Sequence, residues 1–268
     1  MKQLENKIAI VTGASSGVGR GVAKVLAREG AKVVICARRM ELLEQLRDEI
    51  VREGGEALPV ACDVSDPDQI KAVVDKTIEA YHTVHILVNL AQGSMLYRPL
   101  LEIDEDYAMT AYKTGPLASL RFMKLCMPYM KENHWGRIIN TASAAGYDGS
   151  AGYGAYAMAK EAIRALTRVA AHEWSKFGIT VNVFLPIIAT DNFRKTAGEA
   201  LAALERMSPM GRVGTTEEDC GPIIAFLASD ASGYLTGQSF MLDGGIHMDS
   251  WLAGARHNIL PKGSMNAK

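Results

Sequence analysis

A tyrosine and a lysine near the middle of the chain are of the types and at the spacing that could carry out proton transfer. They lie in YGAYAMAK, residues 153–160, a stretch with helical character. Because residues four apart share one face of a helix, Tyr156 and Lys160 are neighbours, whereas Tyr153 is one further turn away. A nearby ammonium group favours the phenolate and lowers the pKa of a phenol. The spacing therefore predicts that Tyr156 gives a proton to a developing alkoxide, or takes one from an alcohol, near neutral pH.

A serine upstream of this pair could hold the oxygen to which such a proton would move. Ser143 lies in TASAAG, residues 141–146, directly after an apolar segment. A hydroxyl there can bind a substrate carbonyl oxygen, which is the electrophilic contact that hydride transfer to carbon requires. Taken alone, Ser143 would be interpreted as a turn or helix-cap residue, and a Tyr-x-x-x-Lys spacing arises readily by chance. Whether these residues form a site depends on the elements that position them.

The order of predicted elements supplies that positioning. Short apolar segments alternate with amphipathic ones, which indicates a parallel sheet with helices on both faces. With right-handed crossovers, the economical topology is a doubly wound sheet, in which ligands bind at the carboxyl ends of the strands. The absence of linkers and repeats predicts a single domain over residues 1–268. We predict strands at 7–12, 32–37, 56–62, 85–91, 136–142 and 179–185, and helices at 19–30, 40–53, 67–81, roughly 106–132 and about 152–177.

A glycine-rich turn between the first predicted strand and the first predicted helix indicates a nucleotide site. Glycine lets the backbone approach a pyrophosphate, and the helix N-terminus offers unpaired N–H groups and a partial positive charge. At the first turn of a strand–helix–strand unit this pattern favours dinucleotide binding over a plain tight turn. The turn TGASSGVG supplies the candidate contacts Gly13, Ser15, Ser16, Gly17, Val18 and Gly19.

The end of the second predicted strand indicates which dinucleotide would bind. An acid about 20 residues beyond the glycines would accept hydrogen bonds from the ribose 2′-OH, whereas an arginine suits a 2′-phosphate. The chain reads ICARR, with Ala37 where the acid could stand, followed by Arg38 and Arg39. Two guanidiniums can bind a phosphate, and no carboxylate would repel it. We therefore predict NADP(H) rather than NAD(H); the alternative is that both arginines are solvated residues at the start of the next helix.

Composition narrows the classes of function. With 268 residues, 48% hydrophobic and 22% charged, the chain is typical of a globular protein, and its formal net charge of −1 gives no field that would gather nucleic acid. The four cysteines form no CxxC pair, which argues against disulfides and thiolate metal sites and favours a reducing cytoplasm. Neither a signal peptide nor an apolar run of roughly 20 residues is found, so no membrane association is predicted.

Two segments lie outside the alternation. Residues 192–210 have helical character and could form a mobile flap over a substrate pocket. The tail, residues 246–268, mixes a tryptophan, leucines and basic residues. We expect its first half to pack on a neighbouring subunit and its end to fray.

An ordered set of motifs over roughly residues 5–245 resembles the short-chain dehydrogenase/reductase family. The set consists of TGASSGVG, CDV (62–64), VNLA (88–91), Ser143 thirteen residues before Tyr156, Lys160, VNVFLP (181–186) and LTGQSFMLDGG (235–245). The resemblance implies an α/β fold with a doubly wound, mostly parallel, seven-stranded sheet. It also implies a nicotinamide cofactor, a small-molecule substrate and a homotetramer or homodimer.

The resemblance also implies a role for each matching position. Ser143 would polarise the substrate oxygen, Tyr156 would be the general acid or base, and Lys160 would hold the nicotinamide ribose and lower the pKa of Tyr156. The remaining implied cofactor contacts are Asp63 and Val64 at the adenine, Asn89 and Ala91 along the adenosine, and Pro186, Ile188 and Thr190 at the nicotinamide carboxamide.

Three positions depart from the family pattern. Tyr112 stands where the family has an asparagine that holds a proton-relaying water, so either Tyr112 takes part in the relay or the relay is broken. In NLAQ (89–92), Leu90 and Gln92 replace an asparagine and a glycine, and the Gln92 side chain could intrude on the crevice. The glycine that normally follows the proline after strand six is missing at Pro186–Ile187.

The predicted pocket favours an apolar cyclic ketone or alcohol over a small polar acid, because its candidate residues are mostly apolar and no arginine cluster is placed for a carboxylate. The first alternative is an enzyme that reduces an activated C=C bond or performs a redox-neutral step. The second is a non-catalytic nucleotide-binding scaffold. The candidate pocket residues are Met95, Tyr97, Tyr147, Tyr153, Met158, Phe193 and Met207.

Overall fold

A seven-stranded parallel sheet forms the centre of the protein in the computed structural model, which describes residues 2–93 and 97–248. Every neighbouring pair of strands is parallel, in the order β3-β2-β1-β4-β5-β6-β7. The predicted fold class is confirmed. The strands are β1 (Ile8–Thr12), β2 (Lys32–Ala37), β3 (Glu56–Ala61), β4 (Ile86–Asn89), β5 (Gly136–Thr141), β6 (Ile179–Pro186) and β7 (Ser239–Leu242).

Helices connect the strands and cover both faces of the sheet, as a doubly wound topology requires. The α-helices are α1 (Gly17–Arg28), α2 (Met40–Arg52), α3 (Pro67–Tyr81), α4 (Glu105–Thr114), α5 (Pro116–Glu132), α6 (Ala144–Asp148), α7 (Gly154–Trp174), α8 (Asp191–Thr196), α9 (Glu199–Met207) and α10 (Gly221–Leu227). Short 3₁₀ turns cover Leu100–Glu102, Ser175–Phe177 and Asp230–Ser232, and one π-helical turn covers Thr216–Cys220.

The core has two layers because successive side chains of a strand point to opposite faces of the sheet. On β2, Val33 and Ile35 pack with α1, α2 and α10, whereas Val34 and Cys36 pack with α3 and α5 on the other face. Strands buried on both faces are mainly apolar, which is why β1 and β2 are almost continuous apolar runs, whereas the buried Asn140 of β5 is hydrogen-bonded.

The helix predicted over 106–132 is two helices, and that prediction is wrong at its middle. Gly115 leaves the helical conformation, with φ of −100° and ψ of −101°. Pro116 then opens α5, where its missing N–H costs nothing because the first turn of a helix has no intrahelical acceptor for it. The helix predicted over about 152–177 is confirmed as α7 with the 3₁₀ turn that follows it.

The segments outside the alternation are partly described. The helical character predicted for residues 192–210 is confirmed by α8 and α9, and its motion as a flap stays a prediction. Of the tail, residues 246–248 belong to the described chain, whereas residues 249–268 lie outside it, as does the pocket candidate Met95. Within the described ranges no helix is long and apolar enough to span a bilayer.

The strand order reverses at one place, and this positions the site. The chain leaves β1 toward β2 on one side, while β4 lies against β1 on the other. The connections therefore diverge at the carboxyl ends of β1 and β4 and leave a crevice, where ligands bind in open sheets of this kind.

Truncation of a core leucine should destabilise the fold far more than truncation of an exposed one. Leu26 on α1 is fully buried in the first layer of the core, whereas Leu101 is fully exposed. We expect Leu26→Ala to lower the free energy of unfolding in urea by about 2–5 kcal/mol through lost burial and a residual cavity. Leu101→Ala should stay within about 0.5 kcal/mol. Equal effects of the two changes would contradict the assignment of the core.

Candidate active site

A cleft of about 440 Å³ lies at the carboxyl ends of the central strands. The turn after β1, the ends of β2 to β5 and the first turns of α7 all reach it. It is lined by Gly13, Ser15, Ser16, Val18, Gly19, Ala37, Arg38, Arg39, Cys62, Asp63, Val64, Leu90, Ala91, Gln92, Gly93, Thr114, Thr141, Ala142, Ser143, Tyr156, Lys160 and Pro186.

The glycine-rich turn forms a tight, uncapped helix start at this cleft. Gly13 has φ of +69°, and a Cβ at Gly19 would lie 2.3 Å from the Gly13 carbonyl oxygen, so side chains are excluded there. The N-cap of α1, Ser16, makes no side-chain capping bond, whereas Asp66 caps α3 by accepting from two backbone N–H groups. The first-turn amides of α1 therefore have no side-chain acceptor, and the turn fits an anionic group such as a pyrophosphate.

Two arginines stand beside this turn. Arg39 Nη2 lies 3.3 Å from both Ser15 Oγ and Ser16 Oγ, and Arg38 is exposed at the same rim. Asp63 is held ionised, because the Ser65 backbone N–H and hydroxyl lower its pKa and the Arg38 charge adds to that effect. The rim thus presents two guanidiniums and two hydroxyls, which suits a phosphate monoester.

The structure brings Ser143, Tyr156 and Lys160 together at the other end of the cleft. Ser143 is the N-cap of α6, where its Oγ accepts from Ala145 N at 3.2 Å, and it also hydrogen-bonds Tyr156. Lys160 is buried one turn along α7; its Nζ donates to the Thr141 carbonyl at 2.9 Å and lies 5.4 Å from the centroid of the Tyr156 ring.

Burial, rather than charge, dominates the electrostatics of the tyrosine and the lysine. Burial raises the pKa of Tyr156 by more than its hydrogen bond to Ser143 lowers it. Burial also lowers the pKa of Lys160 to about 7. In the protein alone burial therefore outweighs any effect of the Lys160 charge, because a desolvated lysine near pH 7 carries only part of its charge, and the lowering of the Tyr156 pKa by Lys160 stays a prediction. Tyr156 is a protonated acid at neutral pH.

Of the positions that depart from the family pattern, Gln92 and Tyr112 differ in whether they line the cleft. The side chain of Gln92 lines the cleft, where its Nε2 donates to the Ala111 carbonyl at 3.2 Å and to Thr114 Oγ1 at 3.3 Å. Its Oε1 is buried and has no partner within the described residues. Tyr112 does not line the cleft; it packs against Ala111 and the α7 alanines Ala155 and Ala159. Gln92 therefore reaches the site, whereas Tyr112 does not.

Four predicted contacts do not line the cleft. Asn89 is still inside β4, where its Nδ2 donates to Asn140 Oδ1 at 2.9 Å, and Gly17 forms the first residue of α1. Ile188 bridges Gly214 and faces a neighbouring cavity of about 260 Å³. Thr190 caps α8, accepting from Phe193 N at 3.2 Å. Asn89, Ile188 and Thr190 thus make contacts within the scaffold, and their binding of a cofactor stays a prediction, as does that of Gly17.

Several lining residues were not predicted as contacts. Cys62, Leu90, Thr141 and Ala142 lie inside the motifs CDV, VNLA and TASAAG, within two residues of predicted contacts, so counting every residue of each motif would have found them. Gly93 and Thr114 are joined by a hydrogen bond of 3.1 Å between Gly93 N and Thr114 Oγ1. Thr114 comes from α4, and nothing in the local sequence places it at this cleft.

The candidate substrate residues lie on the surface rather than in the core. The rings of Tyr97 and Tyr153 meet edge to face, with centroids 6.4 Å apart. Phe193, by contrast, is partly buried. The exposed candidates are Tyr97, Tyr147, Tyr153, Met158 and Met207.

Comparisons with known proteins agree with this arrangement. A family model described as enoyl-(acyl carrier protein) reductase matches residues 13–247. The chain is 37% identical to the 12α-hydroxysteroid dehydrogenase of Clostridium sp. (strain ATCC 29733 / VPI C48-50) over 252 residues, which cover 90% of this chain and 97% of the relative. It is 34% identical to the 3-oxoacyl-(acyl-carrier-protein) reductase of Escherichia coli K12 over 245 residues, 91% and 98% of the two chains. A crystal structure of a protein from Agrobacterium tumefaciens has a TM-score of 0.86 at 29% identity and covers 91% of this chain and 97% of its own.

The buried lysine should make stability depend on pH in a defined direction. The pKa of Lys160 falls from 10.5 to about 7 on folding, so between these values the unfolded chain binds more protons than the folded one. Stability should therefore rise as pH increases from 7 toward 10.5. In Lys160→Met this contribution is lost, and we expect the difference in unfolding free energy between the two proteins to change by at least about 1 kcal/mol over that window. Parallel pH profiles of the two proteins in urea would contradict the assigned burial.

Proposed function

The chain belongs to the short-chain dehydrogenase/reductase family, and we propose that it is an NADP(H)-dependent oxidoreductase that interconverts a ketone and a secondary alcohol. The observation that carries the proposal is the meeting of Ser143, Tyr156 and Lys160 in the same cleft as the uncapped glycine-rich turn. A cofactor bound along that cleft would supply or accept a hydride at its nicotinamide ring. The protein's own residues would then hold the substrate oxygen and move the proton.

The rim arginines support NADP(H) as the cofactor. Arg38 and Arg39 would bind the 2′-phosphate together with the hydroxyls of Ser15 and Ser16, which already lie 3.3 Å from Arg39 Nη2. Ala37 leaves no carboxylate at the end of β2 to repel that phosphate or to favour a free 2′-OH. The glycine-rich turn and the α1 N-terminus would hold the pyrophosphate.

The proton chemistry follows from the burial of Tyr156. Ser143 would donate a hydrogen bond to the carbonyl oxygen and stabilise the charge that develops on it. Tyr156 keeps its proton at neutral pH because burial raises its pKa, and it would donate that proton to the developing alkoxide. Lys160, with a pKa of about 7, would exchange protons with its surroundings near neutrality and so help Tyr156 to be reprotonated. With Tyr156 protonated, reduction of the ketone is favoured over oxidation of the alcohol near neutral pH.

The exposed apolar side chains beside the cleft support an apolar cyclic substrate. Tyr147 follows Ser143 on α6, and Tyr153 and Met158 flank Tyr156 around the start of α7. Such flat or flexible apolar side chains bury ring systems well and offer no charge to a small acid. The similarity to a hydroxysteroid dehydrogenase points the same way. We also propose that the chain forms a single domain, that it is located in the cytoplasm, and that it assembles as a homotetramer or homodimer.

Reduction of an activated C=C bond is the second candidate. It is favoured by the description of the matching family model, enoyl-(acyl carrier protein) reductase, and by Tyr112 at the position of the family's asparagine. Incubation with an unsaturated ketone and deuterium-labelled NADPH distinguishes the two, because label at the carbinol carbon indicates carbonyl reduction and label at the β-carbon indicates alkene reduction.

Removal of the Tyr156 hydroxyl should lower turnover without weakening the binding of the cofactor. We expect Tyr156→Phe to lower kcat by at least about 100-fold, because the proton donor is lost while the ring still fills its place. Binding of NADPH, followed by its fluorescence, should change less than about twofold, and Tyr153→Phe should retain turnover. Substantial turnover by Tyr156→Phe would exclude Tyr156 as the acid.

Removal of a rim arginine should reduce affinity for the phosphorylated cofactor alone. We expect Arg39→Ala to raise the Kd for NADPH by about tenfold or more, the effect of losing a charge-assisted contact, and to leave the Kd for NADH unchanged. Arg47→Ala is the control, because Arg47 pairs with its neighbour Asp48 on α2 outside the cleft. A wild-type protein that binds NADH more tightly than NADPH would refute the cofactor assignment.

A further inference from the structure

A histidine close to the end of the described chain lies between two carboxylates. His247 Nδ1 is 2.8 Å from Asp243 Oδ2, and His247 Nε2 is 2.7 Å from Asp148 Oδ2. The side chains of His247 and Asp243 are 14% and 6% exposed, so their contact is largely shielded from water, whereas Asp148 is 38% exposed and its contact lies at the surface. Asp243 is fixed in turn by the backbone N–H groups of Gly245 and His247, at 2.9 and 2.8 Å.

This geometry requires a protonated imidazole. A carboxylate can only accept hydrogen bonds, and a neutral imidazole has a single N–H. Both ring nitrogens can therefore donate only in the imidazolium form. Loss of the proton would leave a nitrogen lone pair against a carboxylate oxygen and break one of the two contacts.

The two carboxylates belong to elements that are far apart in the chain. Asp148 is the last residue of the five-residue helix α6, whose N-cap is Ser143, and Asp243 follows the last strand, β7. Gly149 ends α6 with φ of +67°, where the chain turns away. A helix of this length has few internal hydrogen bonds, so contacts at its ends determine how firmly it is held.

We propose that Asp148, His247 and Asp243 form a proton-dependent latch that fixes α6, and with it Ser143, against the end of β7. His247 would thus be a positioning residue for the substrate oxygen, a role that rests on the function proposed for Ser143. At low pH the latch is closed; as pH rises through the titration of His247, one contact opens and α6 loosens.

The other charged groups of the surrounding elements are already paired. On α7, Glu161 and Arg164 pair at 2.9 Å, and Arg164 also stacks over Tyr147 of α6. In the smaller cavity that Asp243 lines, Arg212 and Asp219 pair at 2.6 Å. Although burial raises the pKa of Asp243, its bonds from His247 and Gly245 outweigh that effect and lower it. Asp243 is therefore ionised, and among the described residues His247 is the cation in contact with both carboxylates.

Hydrogen exchange tests the latch without any assay of activity. NMR signals of the His247 imidazole nitrogens are first followed with pH to measure the midpoint of its protonation. Exchange of the amides of residues 143–150 is then compared in wild type and His247→Gln below and above that midpoint. Gln keeps a neutral donor, so below the midpoint we expect these amides to exchange about tenfold faster in the variant, the effect of losing a hydrogen bond between charged groups. Above the midpoint the two proteins should agree. His172→Gln, a change of an exposed histidine on α7, should match wild type throughout.

Kinetics then test the positioning role. In wild type the KM for a ketone substrate should rise with pH through the His247 midpoint, whereas His247→Gln and Asp148→Asn should show a raised KM with no such step. The Kd for NADPH should be unchanged in both variants. Equal exchange of residues 143–150 in wild type and His247→Gln below the midpoint would overturn the latch. A change in exchange with no change in KM would overturn the positioning role, and a wild type that turns over no ketone would overturn the proposed function while the exchange result still supports the latch.

Discussion

The structure depends on the burial of one parallel sheet on both faces. With helices on either side, the strands are mainly apolar, and polar side chains inside them, such as Asn140 and Asn182, are hydrogen-bonded. The strand order reverses between β1 and β4, so the connections that follow these two strands run in opposite directions and leave a crevice at their carboxyl ends. The glycine-rich turn, the arginine rim and the Ser143–Tyr156 pair all lie at this edge. The candidate site therefore lies at the carboxyl ends of the strands, beside the point where the strand order reverses.

The same burial sets the electrostatics of the site. Lys160 enters the interior with a backbone carbonyl, rather than a carboxylate, as its hydrogen-bond partner, and this is why its pKa falls to about 7. Tyr156 is affected in the opposite direction, because burial penalises the phenolate as it penalises the ammonium ion. The spacing of the two residues along a helix indicated that they are neighbours. It did not indicate whether burial or the lysine charge would have the larger effect on the pKa of Tyr156.

The positions that depart from the family pattern alter how the cleft is held together. Gln92 ties the segment after β4 to the end of α4 through Ala111 and Thr114. The helix break at Gly115 lies at the same place, and a Cβ at Gly115 would stand 2.6 Å from Gln92 Oε1. Gln92 and Gly115 are thus fitted to one another. Tyr112, which the family pattern marked as the notable change, packs on alanines of α7 instead.

The sequence by itself determined the alternation of strands and helices, the glycine-rich turn, the paired arginines and the spacing of Ser143, Tyr156 and Lys160. These features are local: each depends on residue type and on a periodicity of two or of 3.6 residues. Only the tertiary structure decided that Asn89 pairs with Asn140, that Thr114 reaches the cleft, and that His247 lies between Asp148 and Asp243. The contacts Gly93–Thr114, Asn89–Asn140 and Asp148–His247 join residues 21, 51 and 99 positions apart. Such contacts leave no periodic pattern in the chain because they depend on how whole elements pack against one another.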